Sequence, residues 1–257
     1  MENEQLPSFD LSGLVVFVTG AARGIGRACA LASAQAGADV ILGLRDQASG
    51  QQLASEIARM GRRALAVQMD VTDLDQIRSA VASAAREFGR IDVLVNNVGL
   101  GPENPAEDVR EEDFDLTVAV NLKGTFFVSQ TVGRLMIERE FGRIINMSSQ
   151  AGSVVLPGES IYCMTKAAIN HMTRCLALEW AKHNITVNAV APTFIWTDAT
   201  RPALSDPAFH ERTLAHIPLG RIGQTKDVTG AVVFLASPAA SMITGTTMLV
   251  DGGWSLA

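Results

Sequence analysis

The 257-residue sequence predicts an α/β fold, a doubly wound parallel sheet of about seven strands with helices on both faces. Three observations carry that expectation. Short apolar runs alternate with long stretches in which apolar residues recur at helical spacing, the pattern of repeated βαβ units. The first run, Leu14-Val15-Val16-Phe17-Val18, leads straight into a glycine-rich turn, Thr19-Gly20-Ala21-Ala22-Arg23-Gly24-Ile25-Gly26, that opens an alanine-rich stretch reaching Gly37. With 47% hydrophobic residues the chain can bury a large core, and no biased linker or internal repeat divides it, so residues 1–257 are expected to form a single domain.

A strand at 14–19 ends in the glycine turn, and a helix at 25–36 begins from it. A strand at 39–44, a helix at 48–60 and a strand at 63–69 come next, then a helix at 73–88 and the compact apolar strand 93–96. A long helix is expected at 113–137, a strand at 143–147, a second long helix at 160–182, a strand at 186–190, a helix at 225–235 and a last strand at 247–250. Residues 193–218 break the alternation with Pro202, Pro207 and Pro218 and a short helix near 207–215. Parallel sheets of this kind take ligands beyond the carboxyl ends of their strands. Thr19, Leu44, Asp70, Asn96, Ser149 and Pro192 each fall at or just past such an end, so they share one rim.

The rim carries recognisable chemistry. Glycine allows positive φ and a close backbone approach, and free N–H groups at a helix start attract phosphate, so the turn suits a dinucleotide pyrophosphate. Tyr162 is the only tyrosine, with Ser149 thirteen residues before it and Lys166 four residues after it. Residues i and i+4 share a helix face, so a phenol and an ammonium reach one pocket while a strand end supplies the hydroxyl. A neighbouring cation favours phenolate and is expected to move the phenol from about pH 10 toward the range of a working acid–base catalyst. In isolation the same pair reads as a half-buried tyrosine and a solvated lysine on an amphipathic helix. Its company on the rim favours the chemical reading.

Composition argues against several other classes. The formal charge of −6 and the lack of clustered Lys and Arg speak against a nucleic-acid surface. His171, His183, His210 and His216 form no His-x-x-x-His pair, so no metal is expected. Cys29, Cys163 and Cys175 are odd in number and widely spaced, and read as small helix residues rather than a disulfide or zinc framework. No apolar run approaches the roughly 18 residues that span a bilayer, and the polar start, residues 1–10, lacks signal-peptide features. No membrane association and a cytoplasmic location are therefore expected.

Further segments appear in a fixed order: Asn96-Asn97-Val98-Gly99 after an apolar strand, Asn121 in Val120-Asn121-Leu122-Lys123-Gly124, Val187-Asn188-Ala189-Val190-Ala191-Pro192, and Asp251-Gly252-Gly253. Together with the glycine turn and the Ser149, Tyr162 and Lys166 set, these resemble the short-chain dehydrogenase/reductases over almost the whole chain. The resemblance implies a Rossmann-type domain binding a nicotinamide dinucleotide. It places Gly20, Arg23, Gly24, Ile25 and Gly26 at the pyrophosphate, Asp70 and Val71 on the adenine, Asn97 and Gly99 along the groove, and Pro192, Ile195 and Thr197 at the carboxamide. It implies that Tyr162 passes a proton to or from the substrate oxygen and that Ser149 holds that oxygen. Lys166 would bind the ribose hydroxyls and lower the phenol pKa, and Asn121 would hold a water linking Lys166 to solvent. A homotetramer is implied as well, formed through the two long helices and the C-terminal strand region. Val98 in place of the usual alanine and Thr193 in place of the usual glycine depart from the pattern.

Cofactor choice falls at Ile41-Leu42-Gly43-Leu44-Arg45-Asp46. An acid at the end of the second strand favours NAD, whereas an arginine favours the 2′-phosphate of NADP. Leu44 stands where the acid would be and Arg45 follows, so NADP(H) is favoured; NAD(H) is the alternative, because a small register change brings Asp46 to the ribose. Residues 193–218 resemble the family's substrate lid. Gln150 and Glu159 flank the catalytic elements, Thr193 and Trp196 begin the lid and Arg201 lies within it, a set that suits a hydroxyl-rich or carboxylated small molecule or, alternatively, an ordinary surface. The expected function is NADP(H)-dependent interconversion of a ketone and a secondary alcohol on a polyol, sugar or sugar acid, as in gluconate 5-dehydrogenases. The 3-oxoacyl-acyl-carrier-protein reductases share nearly every motif and form the alternative. A catalytically idle dinucleotide sensor would lack one of Asn121, Ser149, Tyr162 or Lys166, and all four are present.

Overall fold

Seven strands, β1 (Val15–Thr19), β2 (Asp39–Leu44), β3 (Ala64–Gln68), β4 (Val93–Asn96), β5 (Gly142–Met147), β6 (Ile185–Pro192) and β7 (Thr247–Val250), join in one sheet. Their spatial order is β3-β2-β1-β4-β5-β6-β7, and every neighbouring pair is parallel. This computed structural model describes residues 7–256; residues 1–6 of the polar start lie outside them. The strand order reverses between β1 and β4, which opens a crevice beyond their carboxyl ends.

The helices among the described residues are α1 (Gly24–Gln35), α2 (Gln51–Arg59), α3 (Leu74–Phe88), α4 (Glu111–Val118), α5 (Thr125–Glu138), α6 (Ser160–Trp180), α7 (Arg201–Leu204), α8 (Pro207–Ala215) and α9 (Thr225–Ala236). Successive strand side chains point to opposite faces. Val16, Val18, Val40 and Leu42 accordingly pack with Cys29 and Ala30 of α1, Leu53 and Ile57 of α2, and Val228 and Val232 of α9. On the other face Val15, Phe17 and Ile41 pack with Ile77 and Val81 of α3, Val128 and Val132 of α5, and Leu176 of α6. Each fully buried aliphatic or aromatic side chain is worth about 1.5–3 kcal/mol, so two continuous apolar layers fix the strand ends as a stiff rim. No helix of the described residues is long and apolar enough to cross a membrane.

The long helix expected at 113–137 is interrupted: a π-helical turn, Ala119–Gly124, separates α4 from α5. A local side-chain hydrogen bond and a tertiary contact accompany this wide turn. Thr125 Oγ1 donates to the Asn121 carbonyl at 2.6 Å, and the Val71 carbonyl lies 2.8 Å from where a Cβ on Gly124 would stand. Apolar periodicity is helical on both sides, so the interruption is silent in the pattern. The helix expected at 48–60 begins as a 3₁₀ turn, Gln47–Gly50, capped by Asp46. β6 runs on to Pro192, which pairs with Val250. Within 193–218 the expected short helix is α8, whose first turn is capped by Asp206 accepting from Phe209 N–H at 2.7 Å. Leu204, Ile217 and Ile222 form a small core there with Phe194, Trp196, Phe209 and Trp254.

Candidate active site

The turn from β1 to α1 holds Gly20 at φ +65° and Gly24 at φ +56°, backbone that L side chains rarely adopt. A Cβ on Gly26 would run into the Gly20 carbonyl, so the turn closes only with glycine there. Asn97, just past β4, fastens it: its N–H donates to Thr19 Oγ1 at 2.9 Å and its Nδ2 to the Thr19 carbonyl at 3.1 Å. Arg23 precedes α1 in extended conformation, gives no side-chain cap, and no acid occupies the first turn. The first N–H groups of α1 thus keep their capacity to bind an anion, which fits a pyrophosphate.

Past β2 and β3 the placements modify the expectations. Leu44 is 2% exposed and packs in the core, and its carbonyl accepts from Met69 N–H, so it has no side chain to offer a ribose. Val71 is likewise buried, packed against Gly124, and presents only backbone. Arg45 is exposed and in no ion pair among the described residues. The Asp46 carboxylate accepts from Ala48 N–H at 3.0 Å. Asp70 caps no helix; its Oδ1 accepts from Thr72 N–H at 2.9 Å and Thr72 Oγ1 at 2.7 Å, while Asp73 caps α3.

Beyond β4, β5 and β6 lies a cavity of about 340 Å³. Its wall gathers Ile25, Asn97, Gly99, Ser149, Gln150, Glu159, Tyr162, Lys166, Pro192, Thr193, Ile195 and Thr197 from the residues singled out in the sequence. Leu100, Gly101, Met147, Ser148, Leu156 and Ala199 complete it without having been anticipated, and Phe194 joins them from the start of the lid. Gly101 had a readable signal as a second glycine after the Asn-Asn segment. A Cβ there would stand 2.7 Å from the Tyr162 ring. Asn121 lies just behind the wall, fully buried. Its Oδ1 accepts from Leu100 N–H at 2.9 Å, while Nδ2 donates to the Leu100 carbonyl at 2.7 Å and to Thr165 Oγ1 at 3.0 Å. The amide therefore clamps the loop after β4 onto α6 and stands close behind Gly99, whose Cβ position is 3.5 Å from Asn121 Oδ1 and 3.3 Å from Lys166 Nζ.

The electrostatics reverse one expectation. Burial pushes the Tyr162 phenol up to about 12, although the Ser149 hydroxyl pulls it down; the Glu159 carboxylate adds to the rise. Burial also brings the Lys166 ammonium down to about 8. Lys166 Nζ donates to the Met147 carbonyl at 2.8 Å, lies 5.3 Å from the centre of the Tyr162 ring and makes no hydrogen bond to the phenol oxygen. Desolvation of the phenolate dominates, and with its own pKa at about 8 the lysine is neutral before the phenol ionises. The Tyr162 phenol thus keeps its proton across the physiological range. Ser149 Oγ donates to Gln150 Oε1 at 2.9 Å and accepts from Ala151 N–H at 3.2 Å.

Of the lid residues, Thr193 reaches the cavity, and its Oγ1 is buried with no hydrogen-bond partner. Trp196 turns into the lid core, and Arg201 is exposed with its guanidinium 5.9 Å from the Trp196 ring; neither lines the cavity.

A family profile described as enoyl-(acyl carrier protein) reductase matches residues 20–255. A NAD-dependent glycerol dehydrogenase of Listeria innocua is 40% identical over 248 residues, 96% of this chain and 96% of that protein. The chain belongs to the short-chain dehydrogenase/reductase family. As such an enzyme it binds a nicotinamide dinucleotide and acts on alcohol and ketone groups. A 3-oxoacyl-[acyl-carrier-protein] reductase of Thermotoga maritima is similar to this dehydrogenase/reductase at 42% identity, covering 95% of this chain and 98% of that one. Among solved structures, a gluconate 5-dehydrogenase from Burkholderia cenocepacia in complex with NADP and tartrate superposes with a TM-score of 0.94 at 35% identity, over 97% of this chain and 98% of that chain.

Proposed function

We propose that this enzyme interconverts a ketone and a secondary alcohol on a polyol, sugar or sugar acid, using NADP(H) in preference to NAD(H). The carrying observation is the meeting of Ser149, Tyr162 and Lys166 in one cavity beside the anion-binding turn. In this reading the dinucleotide supplies or accepts the hydride. Ser149 orients the substrate oxygen, Tyr162 gives it a proton in reduction and removes one in oxidation, and Lys166 and Asn121 serve the proton's path. Gly20, Arg23, Gly24, Ile25 and Gly26 hold the pyrophosphate, Asp70 and the Val71 backbone the adenine, Asn97 and Gly99 the groove, and Pro192, Ile195 and Thr197 the carboxamide. The free Arg45 guanidinium and the capping engagement of Asp46 support NADP(H). Relatives named for glycerol, D-threitol and gluconate support a hydroxylated substrate. The 42% identity to an acyl-carrier-protein reductase keeps that second reading in view.

Initial rates decide between them. NADPH consumption with L-sorbose or 5-ketogluconate is expected to exceed that with an acetoacetyl thioester, and NADPH to exceed NADH with the same ketone. A preference for the thioester overturns the substrate reading, and a preference for NADH overturns the cofactor reading.

We also propose a single domain over 1–257 with a lid at 193–218, a cytoplasmic location and a homotetramer. Exposed Phe114, Leu116, Met164 and Leu178 on α4 and α6, and Leu249 on the edge strand β7, support the assembly, since water-facing side chains of this size gain most from burial against another copy. Light scattering at micromolar concentration is expected to read four chains; a monomer overturns it.

A further inference from the structure

The cavity wall carries an asymmetry of charge that bears on the substrate itself, and the inference from it rests on the reading of the site as one for hydroxylated ketones and alcohols. Lys166 is the only cationic side chain in the wall, and its ammonium is committed to the Met147 carbonyl. Glu159, the residue before α6 and one helical turn ahead of Tyr162, lines the same cavity. Its carboxylate makes no hydrogen bond and no ion pair among the described residues. Burial raises its pKa, and the Glu103 carboxylate adds to the rise.

Glu103 reaches this place through a fixed contact between two loops. Asn104 N–H donates to the Gly158 carbonyl at 2.8 Å, and Glu103 Cγ lies 3.2 Å from where a Cβ on Gly158 would stand. Gly158 is therefore the position at which the second acid backs the first. Gln150, which lines the same cavity, is 2% exposed. Its Oε1 is taken by the Ser149 hydroxyl, and its Nε2 has no partner among the described residues. No arginine lines the cavity, since Arg201 stacks toward Trp196 outside it.

Hydroxyl groups satisfy both side chains. An O–H donates to Glu159, and a hydroxyl oxygen accepts from Gln150 Nε2. A carboxylate satisfies at most the amide and meets one carboxylate in a partly desolvated wall with a second behind it, where like charges repel more strongly than in water. We infer that Glu159, backed by Glu103 and sharing the cavity wall with the Gln150 amide, selects uncharged polyhydroxy ketones and alcohols over counterparts that carry a carboxylate.

The test compares two ketones of matched chain, 5-ketogluconate and L-sorbose, which carries a hydroxymethyl group where the former carries its carboxylate. Acetoacetyl N-acetylcysteamine serves as the third substrate. With NADPH, the wild type is expected to show kcat/KM for L-sorbose at least about tenfold above that for 5-ketogluconate. Glu159→Gln keeps the shape and removes the charge, and is expected to narrow that ratio by about tenfold, with the acid gaining. Glu103→Gln is expected to narrow it by less. Because the readout is a ratio between substrates on one variant, a general loss of fold or activity does not move it. A wild type that prefers 5-ketogluconate, or a ratio unchanged in both variants, overturns this inference and leaves the hydroxylated-ketone reading standing. A thioester preferred to both ketones overturns that reading instead, and turnover of none of the three overturns both.

Discussion

Tyr162→Phe is expected to lower turnover by about 10²- to 10⁴-fold, the contribution of a positioned general acid, while dinucleotide binding followed by NADPH fluorescence changes little. The substitution removes one oxygen. The ring stays in place because it is held by packing: Gly101 leaves room for it within 2.7 Å of its own Cβ position, and Lys166 Nζ lies beside its face. Ser149 keeps its hydrogen bonds to Gln150 and Ala151, so its hydroxyl stays in place after the change. A phenol pushed up to about 12 stays protonated throughout the physiological range, which suits the reductive direction, in which it gives its proton away. Alcohol oxidation needs the phenolate and is correspondingly favoured by rising pH. Near-normal turnover in the phenylalanine variant would falsify the assignment of Tyr162 as proton donor, and weak NADPH binding would show that the oxygen serves the cofactor instead.

The strands were legible because a strand covered on both faces must be apolar at nearly every position, as in Val15–Thr19 and Val93–Asn96. The rim followed from them, since strand ends fix which residues share an edge. What the pattern hides is direction. Leu44 and Val71 sit at the rim, as their positions require, yet their side chains face the core, because a strand end alternates sides with a period of two and a loop residue follows no period at all. Asn121 was visible as a motif residue, but not the wide turn around it, which depends on Val71, Leu100 and Thr165 from distant parts of the chain. The direction of the Tyr162 shift escaped for a similar reason. Proximity in sequence reveals the lysine, whereas the desolvation that raises the phenol and lowers the ammonium comes from surrounding segments. Arg201 shows the limit for lids, where an exposed cation finds a local aromatic partner rather than the cavity.

Lys166→Met is expected to abolish turnover and yet raise thermal stability at pH 7. Lys166 is 3% exposed, and burial brings its ammonium down from 10.5 to about 8. At roughly 1.4 kcal/mol per pKa unit, holding the charge inside costs about 3 kcal/mol. The hydrogen bond to the Met147 carbonyl returns about 1 kcal/mol that methionine cannot supply, leaving a net gain for the variant of about 2 kcal/mol. That corresponds to a rise in Tm of roughly 4–8 °C for a chain of this size. The pH dependence separates this explanation from better packing. The native lysine binds its proton less tightly than the unfolded one, so the penalty is fully present below about pH 8 and disappears as pH rises through 8 toward 10.5. The advantage of the methionine variant must therefore shrink between pH 7 and pH 9.5. Tyr162 does not interfere there, because a phenol raised from 10 to about 12 contributes stability that is intact below pH 10 and is lost only above it. An advantage constant with pH would assign the gain to packing, and a variant less stable than the wild type at pH 7 would show that the lysine is worth more as a hydrogen-bond donor than it costs as a buried charge. The expected result is a site in which stability is given up to keep one ammonium beside the only phenol in the chain.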